Sequence, residues 1–275
     1  MAERRLMMAF AHPDDEPHLA GSTIARYAAE GADVIVVIIT RGEAGEIAPG
    51  VDATPENLGE VREAELRASM KVTGASLEML EYRDSGMAGT PENEDPRAFV
   101  QAPESQVVAE LVDLMRKHRP QVEVTFDENG GYGHPDHIFI SKTTTIAFKE
   151  SGNSSFESPG GMEPWSPLKL YYMGFPRSRI KRFVEEYRKM KPDNEISEID
   201  PETLGVPDEM FTTQLEVAQY VPVRREAAAQ HRSQGSPFDM FPEAMHEDVF
   251  SIDHLILVDP PPAPGLSETD LFEGI

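Results

Sequence analysis

Two short apolar runs open the chain, at residues 5–11 and 34–39, with a stretch of helical character at 18–30 between them that ends at Gly31. That order predicts a βαβ unit whose strands pair in parallel. After a Gly- and Pro-rich loop at 41–57, Leu58, Val61, Leu66 and Met70 keep helical spacing through 58–71, and the pattern stops near Gly74. Residues 77–82 read as the next strand, 106–118 as an amphipathic helix closed by Pro120, 122–126 as a strand and 138–149 as a helix. The alternation predicts an α/β fold, a Rossmann-like and mostly parallel sheet flanked by helices.

Beyond residue 151 the pattern changes. SGNSSFESPGGMEPWSP at 151–167 has loop composition, 168–173 reads as a strand, 177–191 as a highly charged helix and 193–209 as an acidic surface excursion. Further strands are expected at 212–217 and 249–258, with a helix at 223–231 between them. This half shows no clear core of its own, so a single domain is expected: a catalytic core at 1–150, a covering portion at 151–259 and a Pro-rich tail at 260–275, extended or partly disordered.

Composition narrows the function. Lys and Arg total 25 against 49 Asp and Glu, a formal charge of −24, which repels nucleic acid and anionic membranes. With no cysteine, disulfides, thiolate ligands and a cysteine nucleophile are excluded, so a metal must sit on His, Asp and Glu. The short run at 6–11 and the longest later one, 34–39, are far below the roughly 20 residues of a membrane span. A cytoplasmic protein without a membrane partner is expected, and association with like chains is left open.

Chemistry concentrates in two places, each following an apolar run: AHPDDE at 11–16 and GHPDH at 133–137. Two His/Asp clusters at the carboxyl ends of strands are what a metal site assembled from distant stretches of chain looks like. His12 and Asp15, three residues apart, can bind one ion from a tight turn, and Asp14 is then placed as a general base. The plainer reading is that Asp14 or Asp15 caps the following helix. In the second loop, either His134 and His137 are both ligands, or one binds while the other, held by Asp136, stabilises an oxyanion. Gly130, Gly131 and Gly133 suggest a backbone that approaches substrate closely.

AHPDDE, TRGEAGE at 40–46, REAEL at 62–66, YRDSGMAGT at 82–90 and DENGGYGHPDH at 127–137 together resemble the PIG-L/LmbE family of metal-dependent N-deacetylases. The mycothiol branch, with its N-acetylglucosaminyl-inositol deacetylase and S-conjugate amidase, is the nearest. The likeness is strong over 6–147 and looser through PWSPLKLYYMGF and AAQHRSQ, which resemble the amidase more, whereas RDSGMAG resembles the deacetylase. The resemblance implies His12, Asp15 and His137 as zinc ligands, with Fe²⁺ as the other metal that suits them. It implies Asp14 as general base, and His134 as the group that stabilises the oxyanion and protonates the leaving amine, oriented by Asp136. Tyr132 then helps to polarise the carbonyl, and Arg62, Asp84 and Glu46 hold sugar or inositol hydroxyls.

Other marked residues have quieter readings. His18 lines the pocket or sits on the surface, His231 closes the site from the second half or packs, His118 complements a helix end, and Trp165 anchors packing.

The expected activity is therefore zinc-dependent hydrolysis of an N-acyl, most simply N-acetyl, amide on an amino sugar, with S-conjugate amidase chemistry as the alternative. A nucleotide-binding Rossmann protein is disfavoured because the first strand leads into HPDDE and not GxGxxG. A non-catalytic sugar- or metal-binding module has no need of the unligated Asp14.

Overall fold

The computed structural model describes residues 3–190, 200 and 202–275; most of the acidic excursion, residues 193–199 and 201, lies outside them. Seven strands, β1 Arg5–Phe10, β2 Asp33–Thr40, β3 Ser76–Tyr82, β4 Val122–Phe126, β5 Lys169–Met173, β6 Thr213–Glu216 and β7 Ile252–Asp259, form one sheet. Their order is β3-β2-β1-β4-β5-β7-β6. The first five run parallel and β7 runs antiparallel to both β5 and β6, giving the mostly parallel α/β sheet that the alternation predicts. Chain order reverses around β1, which pairs with β2 on one side and β4 on the other. A crevice at the carboxyl ends of β1 and β4 is the usual place for a ligand in such a sheet.

Strands β1, β2 and β4 are apolar because they are covered on both faces: Leu6 to Phe10, Val34 to Ile39, Val122 and Val124 are at most 2% exposed. The long helices α3 Leu58–Thr73, α4 Glu104–His118, α6 Pro135–Glu150 and α7 Arg177–Met190 surround the sheet. Gly74 ends α3 in the left-handed region at φ 81°, as its position in the sequence predicts.

The expected helix at 18–30 is two helices, α1 Asp15–Leu19 and α2 Gly21–Ala29, broken at Ala20. The break has a cause 200 residues away in sequence. Arg224, on helix α8 Val221–Ala228, is 1% exposed and donates Nε to the Pro17 carbonyl at 2.7 Å and Nη2 to the His18 carbonyl. These carbonyls would otherwise continue a longer helix. A Cβ at Gly21 would lie 2.7 Å from Arg224 Cγ, so the glycine makes room for the guanidinium stem. Arg224 also pairs with Asp253 of β7 at 3.2 Å, tying the second half of the chain to the first active loop.

The second half also carries a small apolar cluster, including Phe183, Val184, Phe238, Val249 and Phe250, beside the main core. The Pro-rich tail folds back onto the sheet. Glu268 exchanges main-chain hydrogen bonds with Thr212 and Gln214, and Leu271 is fully buried. No helix among the described residues is long and apolar enough to cross a membrane.

Candidate metal centre

Both clusters sit where the topology places a ligand. β1 leads directly into His12, and β4 leads through Asp127 into a short turn, α5 Gly130–Gly133, and then α6. In the second motif His134 is the N-cap of α6, Pro135 occupies the first turn and Asp136 puts a negative charge at the positive end of the helix. His137 then lies one step further in and faces the crevice, its ring stacked on Phe126 with centroids 4.0 Å apart.

Hydrogen bonds fix the tautomers of two imidazoles. His137 Nδ1 donates to the Gly130 carbonyl at 3.2 Å, which leaves a lone pair on Nε2. His12 Nε2 donates between Asp136 Oδ2 at 3.1 Å and Asp84 Oδ1 at 3.4 Å, which leaves its lone pair on Nδ1. Those two bare nitrogens face each other at 3.2 Å. Asp15 completes the group, with Oδ1 3.3 Å from His137 Nε2 and Oδ2 3.6 Å from His12 Nδ1. Two lone pairs and a carboxylate repel one another unless a cation lies between them. In tetrahedral coordination with bonds of about 2.0–2.1 Å, ligand atoms lie about 3.4 Å apart, close to these separations, two of which run to different Asp15 oxygens, so the three side chains are spaced to hold a divalent ion between them.

Charge tells the same story. Burial works against a charged His12, yet Asp84, Asp136 and Asp15 outweigh it and hold its pKa well above the ordinary value. The site thus holds a proton where it can also hold a metal. Burial would likewise raise Asp15 and Asp84, but His137 and His12 hold the first, and His12 the second, well below the carboxylate range. Both stay ionised. Two further sets of donor atoms lie close together, His12 with His134 and His137, and His12 with Asp84 and Asp136; in the second, both carboxylates accept the one His12 N–H and orient the ring.

Asp14 stands apart from this set. Its backbone is left-handed, φ 103°, and its carboxylate makes no cap bond, so the capping role is not what it does. Asp15 is not a cap either, because its Oδ2 accepts the Ala11 and His12 N–H groups that precede the helix. Burial raises the pKa of Asp14, with Asp15 and Glu16 acting in the same direction against His18 and His231.

His134 departs from its expected setting. Its Nδ1 accepts the Asp136 main-chain N–H at 3.2 Å, while the Asp136 carboxylate turns to His12 and to the Ser85 N–H. The Asp136 carboxylate therefore orients His12, and only its main-chain N–H reaches His134. Burial, with His12 and His137 nearby, lowers the His134 pKa to about 4, so near neutrality it is an uncharged ring with Nε2–H free to donate. An imidazolium that protonates the leaving amine does not fit that environment.

Tyr132 is 59% exposed at the rim, its ring centroid 5.2 Å from that of His137. Asp84 is buried beside His12 and accepts from Ala44 and Gly86 N–H. Arg62 is buried and spends Nη1 on the Gly42 carbonyl at 2.7 Å and Nη2 on that of Glu46 at 2.9 Å, bracing the loop after β2. The Glu46 side chain is exposed, and only its carbonyl is engaged. His18 Nδ1 donates to the Asp14 carbonyl at 2.7 Å. His118 meets Glu78 at 2.8 Å on the far side, and Trp165 Nε1 donates to the Pro120 carbonyl, so both are packing residues.

Sequence reasoning missed Glu16, Ser69, Ser85 and Gln234. Glu16 is fully buried, bonded to Ser69 Oγ at 2.9 Å, His231 Nε2 at 2.7 Å and the Asp14 N–H at 3.0 Å. It lies inside HPDDE, and Ser85 and Gln234 lie inside RDSGMAG and AAQHRSQ, so the motifs marked three of these residues but not what they do.

Comparison with known proteins fixes the family. The 1D-myo-inositol 2-acetamido-2-deoxy-alpha-D-glucopyranoside deacetylase of Thermobispora bispora is 36% identical over an alignment covering all of both chains. Among solved structures, the 4-carboxy-2-hydroxymuconate hydratase GalB of Pseudomonas putida superposes with a TM-score of 0.66 at 17% identity, covering 96% of this chain and 100% of that one. The N,N'-diacetylchitobiose deacetylase of Pyrococcus horikoshii superposes at 0.62 and 17% identity, over 94% of this chain and 84% of that one. At such identities these two establish the fold alone, and one of them is not a deacetylase. The family model described as PIG-L: GlcNAc-PI de-N-acetylase matches residues 7–148, and with the full-length relative it shows that the chain belongs to the PIG-L deacetylase family.

Proposed function

We propose that the chain works as one catalytic domain, a divalent-metal-dependent hydrolase that removes acetyl from the nitrogen of an amino sugar. An N-acetylglucosaminyl-inositol is the substrate suggested by the name of its relative. The observation that carries this reading is the approach of His12 Nδ1 and His137 Nε2 to 3.2 Å beside Asp15, with the Asp14 carboxylate next to them, uncommitted to helix capping. His12, Asp15 and His137 are the proposed ligands, and two imidazoles with one carboxylate suit zinc or, under reducing conditions, Fe²⁺.

A cation held there supplies a Lewis acid for the amide carbonyl and lowers the pKa of the attacking water. Asp14, its pKa raised towards the working range, takes the proton of that water and returns it to the leaving nitrogen. His134, held neutral, donates Nε2–H to the oxygen on which negative charge develops. Tyr132 stands at the exposed rim, its phenol placed as a second donor. Asp84 offers an acceptor to sugar hydroxyls, and Arg62 and Glu46 shape the loop that faces them.

Metal analysis of the purified protein, followed by acetate release from N-acetylglucosaminyl-inositol, free N-acetylglucosamine and a larger N-acyl analogue, tests the reading. About one metal ion per chain and preferential cleavage of the acetylated inositol glycoside are expected. Faster cleavage of the larger acyl group makes it an amidase, and no amide cleavage with metal bound removes the proposal.

A further inference from the structure

The backbone at Asp14 is held in an unfavourable conformation by side chains, one of them from outside the stretch that matches the family. A φ of 103° at a residue with a Cβ is costly and persists only where the surroundings impose it. Three contacts do so. The Asp14 N–H donates to Glu16 Oε2 at 3.0 Å, the Asp14 carbonyl accepts His18 Nδ1 at 2.7 Å, and the preceding carbonyl, of Pro13, accepts Gln234 Nε2 at 2.8 Å. Glu16 could rotate away but for its own partners: Oε1 accepts from Ser69 of α3 and from His231, whose ring is 3% exposed.

The segment carrying His231 and Gln234 is itself pinned. Ser233 donates N–H and Oγ to the two oxygens of Glu65 on α3, at 2.9 and 2.6 Å, and its carbonyl accepts the Ala48 N–H. Residues 231–234 therefore join α3, the loop after β2 and the loop after β1. The family match ends at residue 148. The structure assigns to His231 and Gln234 the role of positioning residues, which set the peptide planes on either side of Asp14 and so aim its carboxylate at the attacking water.

This inference rests on the proposed role of Asp14, and its test has one arm that does not. Acetate release is measured for His231→Ala, His231→Gln and Gln234→Ala, each with metal content and Tm. His231→Ala and Gln234→Ala are expected to keep about one metal per chain and a KM within about twofold of wild type, while kcat falls about 10- to 100-fold because the base is misaimed. His231→Gln retains an N–H donor for Glu16 and should recover most of kcat. A merely structural residue would lower Tm without this split between kcat and KM. If His231→Ala does not fold, Gln234→Ala decides, since that side chain lies at the edge of the network. A folded, metal-loaded Gln234→Ala with kcat within twofold of wild type, or with KM alone raised, overturns the inference. A wild-type protein that releases no acetate fails the functional reading instead. The substrate-independent arm is then the crystal structure of Gln234→Ala: Asp14 still at its wild-type φ refutes the positioning role, and relaxation to negative φ supports it.

Discussion

Asp14 and Asp15 are neighbours in sequence with opposite environments, and the difference decides what each can do. Asp15 is held ionised by His137 and His12, whereas Asp14 is pushed towards protonation by burial. Asp14→Asn should therefore keep the metal and the fold and lose about 10²–10⁴-fold in kcat, measured by acetate release; a variant within about twofold of wild type would refute the base assignment. The two histidines of GHPDH separate in the same way. His137→Ala should lose metal, because it removes one of the facing lone pairs, and His134→Ala should keep it while losing turnover. That division was only half legible in the sequence: spacing left both rings open as ligands, and the choice rests on the Gly130 carbonyl and the Asp136 N–H, main-chain groups that no residue type announces. A buried acid outside the site went unmarked altogether. Glu123 on β4 is fully buried with neither carboxylate oxygen partnered, so burial raises its pKa well above the ordinary 4.5. The folded chain then keeps a proton that the unfolded chain releases, and stability falls as pH rises from about 4.5 towards the folded pKa. Glu123→Gln should match wild type at acid pH and gain on it at higher pH, by about 1–3 kcal/mol, read from urea midpoints between about pH 5 and 8. A gain that shrinks as pH rises would mean the carboxylate is ionised in the fold.

Elements whose character comes from local pattern were read closely, and those shaped by distant side chains were not. Strand β4 has the bounds expected from its apolar run, and α3 stops at its glycine. The break between α1 and α2 escaped because Arg224 makes it from the other end of the chain, and β7 begins later than expected because residues 246–250 form a short helix first. The β4–α6 connection is the element on which the metal depends most. Gly130 has φ 62°, and a Cβ there would lie 2.6 Å from His137 Cβ and 2.8 Å from the Ile138 nitrogen. Its carbonyl fixes the His137 tautomer, so Gly130→Ala should weaken metal binding about 10- to 100-fold, the usual effect of losing such a supporting contact. Competition with a chelator measures this. Unchanged affinity would show that the Gly130 carbonyl is not what sets His137 for the metal.

At the scale of the whole molecule, the sequence indicated one sheet serving one site, but not how the last residues hold it together. The Pro-rich tail reads as extended or partly disordered, yet Glu268 is buried and bound to Lys169 Nζ at 2.6 Å, Tyr171 OH at 2.7 Å and Thr213 Oγ1 at 3.0 Å. These partners lie on β5 and β6, with Lys169 at the first residue of β5, the end of the parallel sheet opposite the metal site. Removing one member of a buried pair leaves the other charge uncompensated, at a cost of about 3–5 kcal/mol, whereas replacing both with apolar groups of similar volume is often close to neutral. Glu268→Ala should therefore lower Tm by roughly 6–20 °C, and Lys169→Met with Glu268→Leu should restore most of the loss. The kcat of the folded single variant should stay at the wild-type value, because Asp14, His134 and the proposed metal ligands sit at the other end of the strands. A fall in kcat at temperatures where the variant is fully folded would show that the tail communicates with the site; a Tm loss no larger in the single variant than in the double would show that the Lys169–Glu268 pair is not what fastens it.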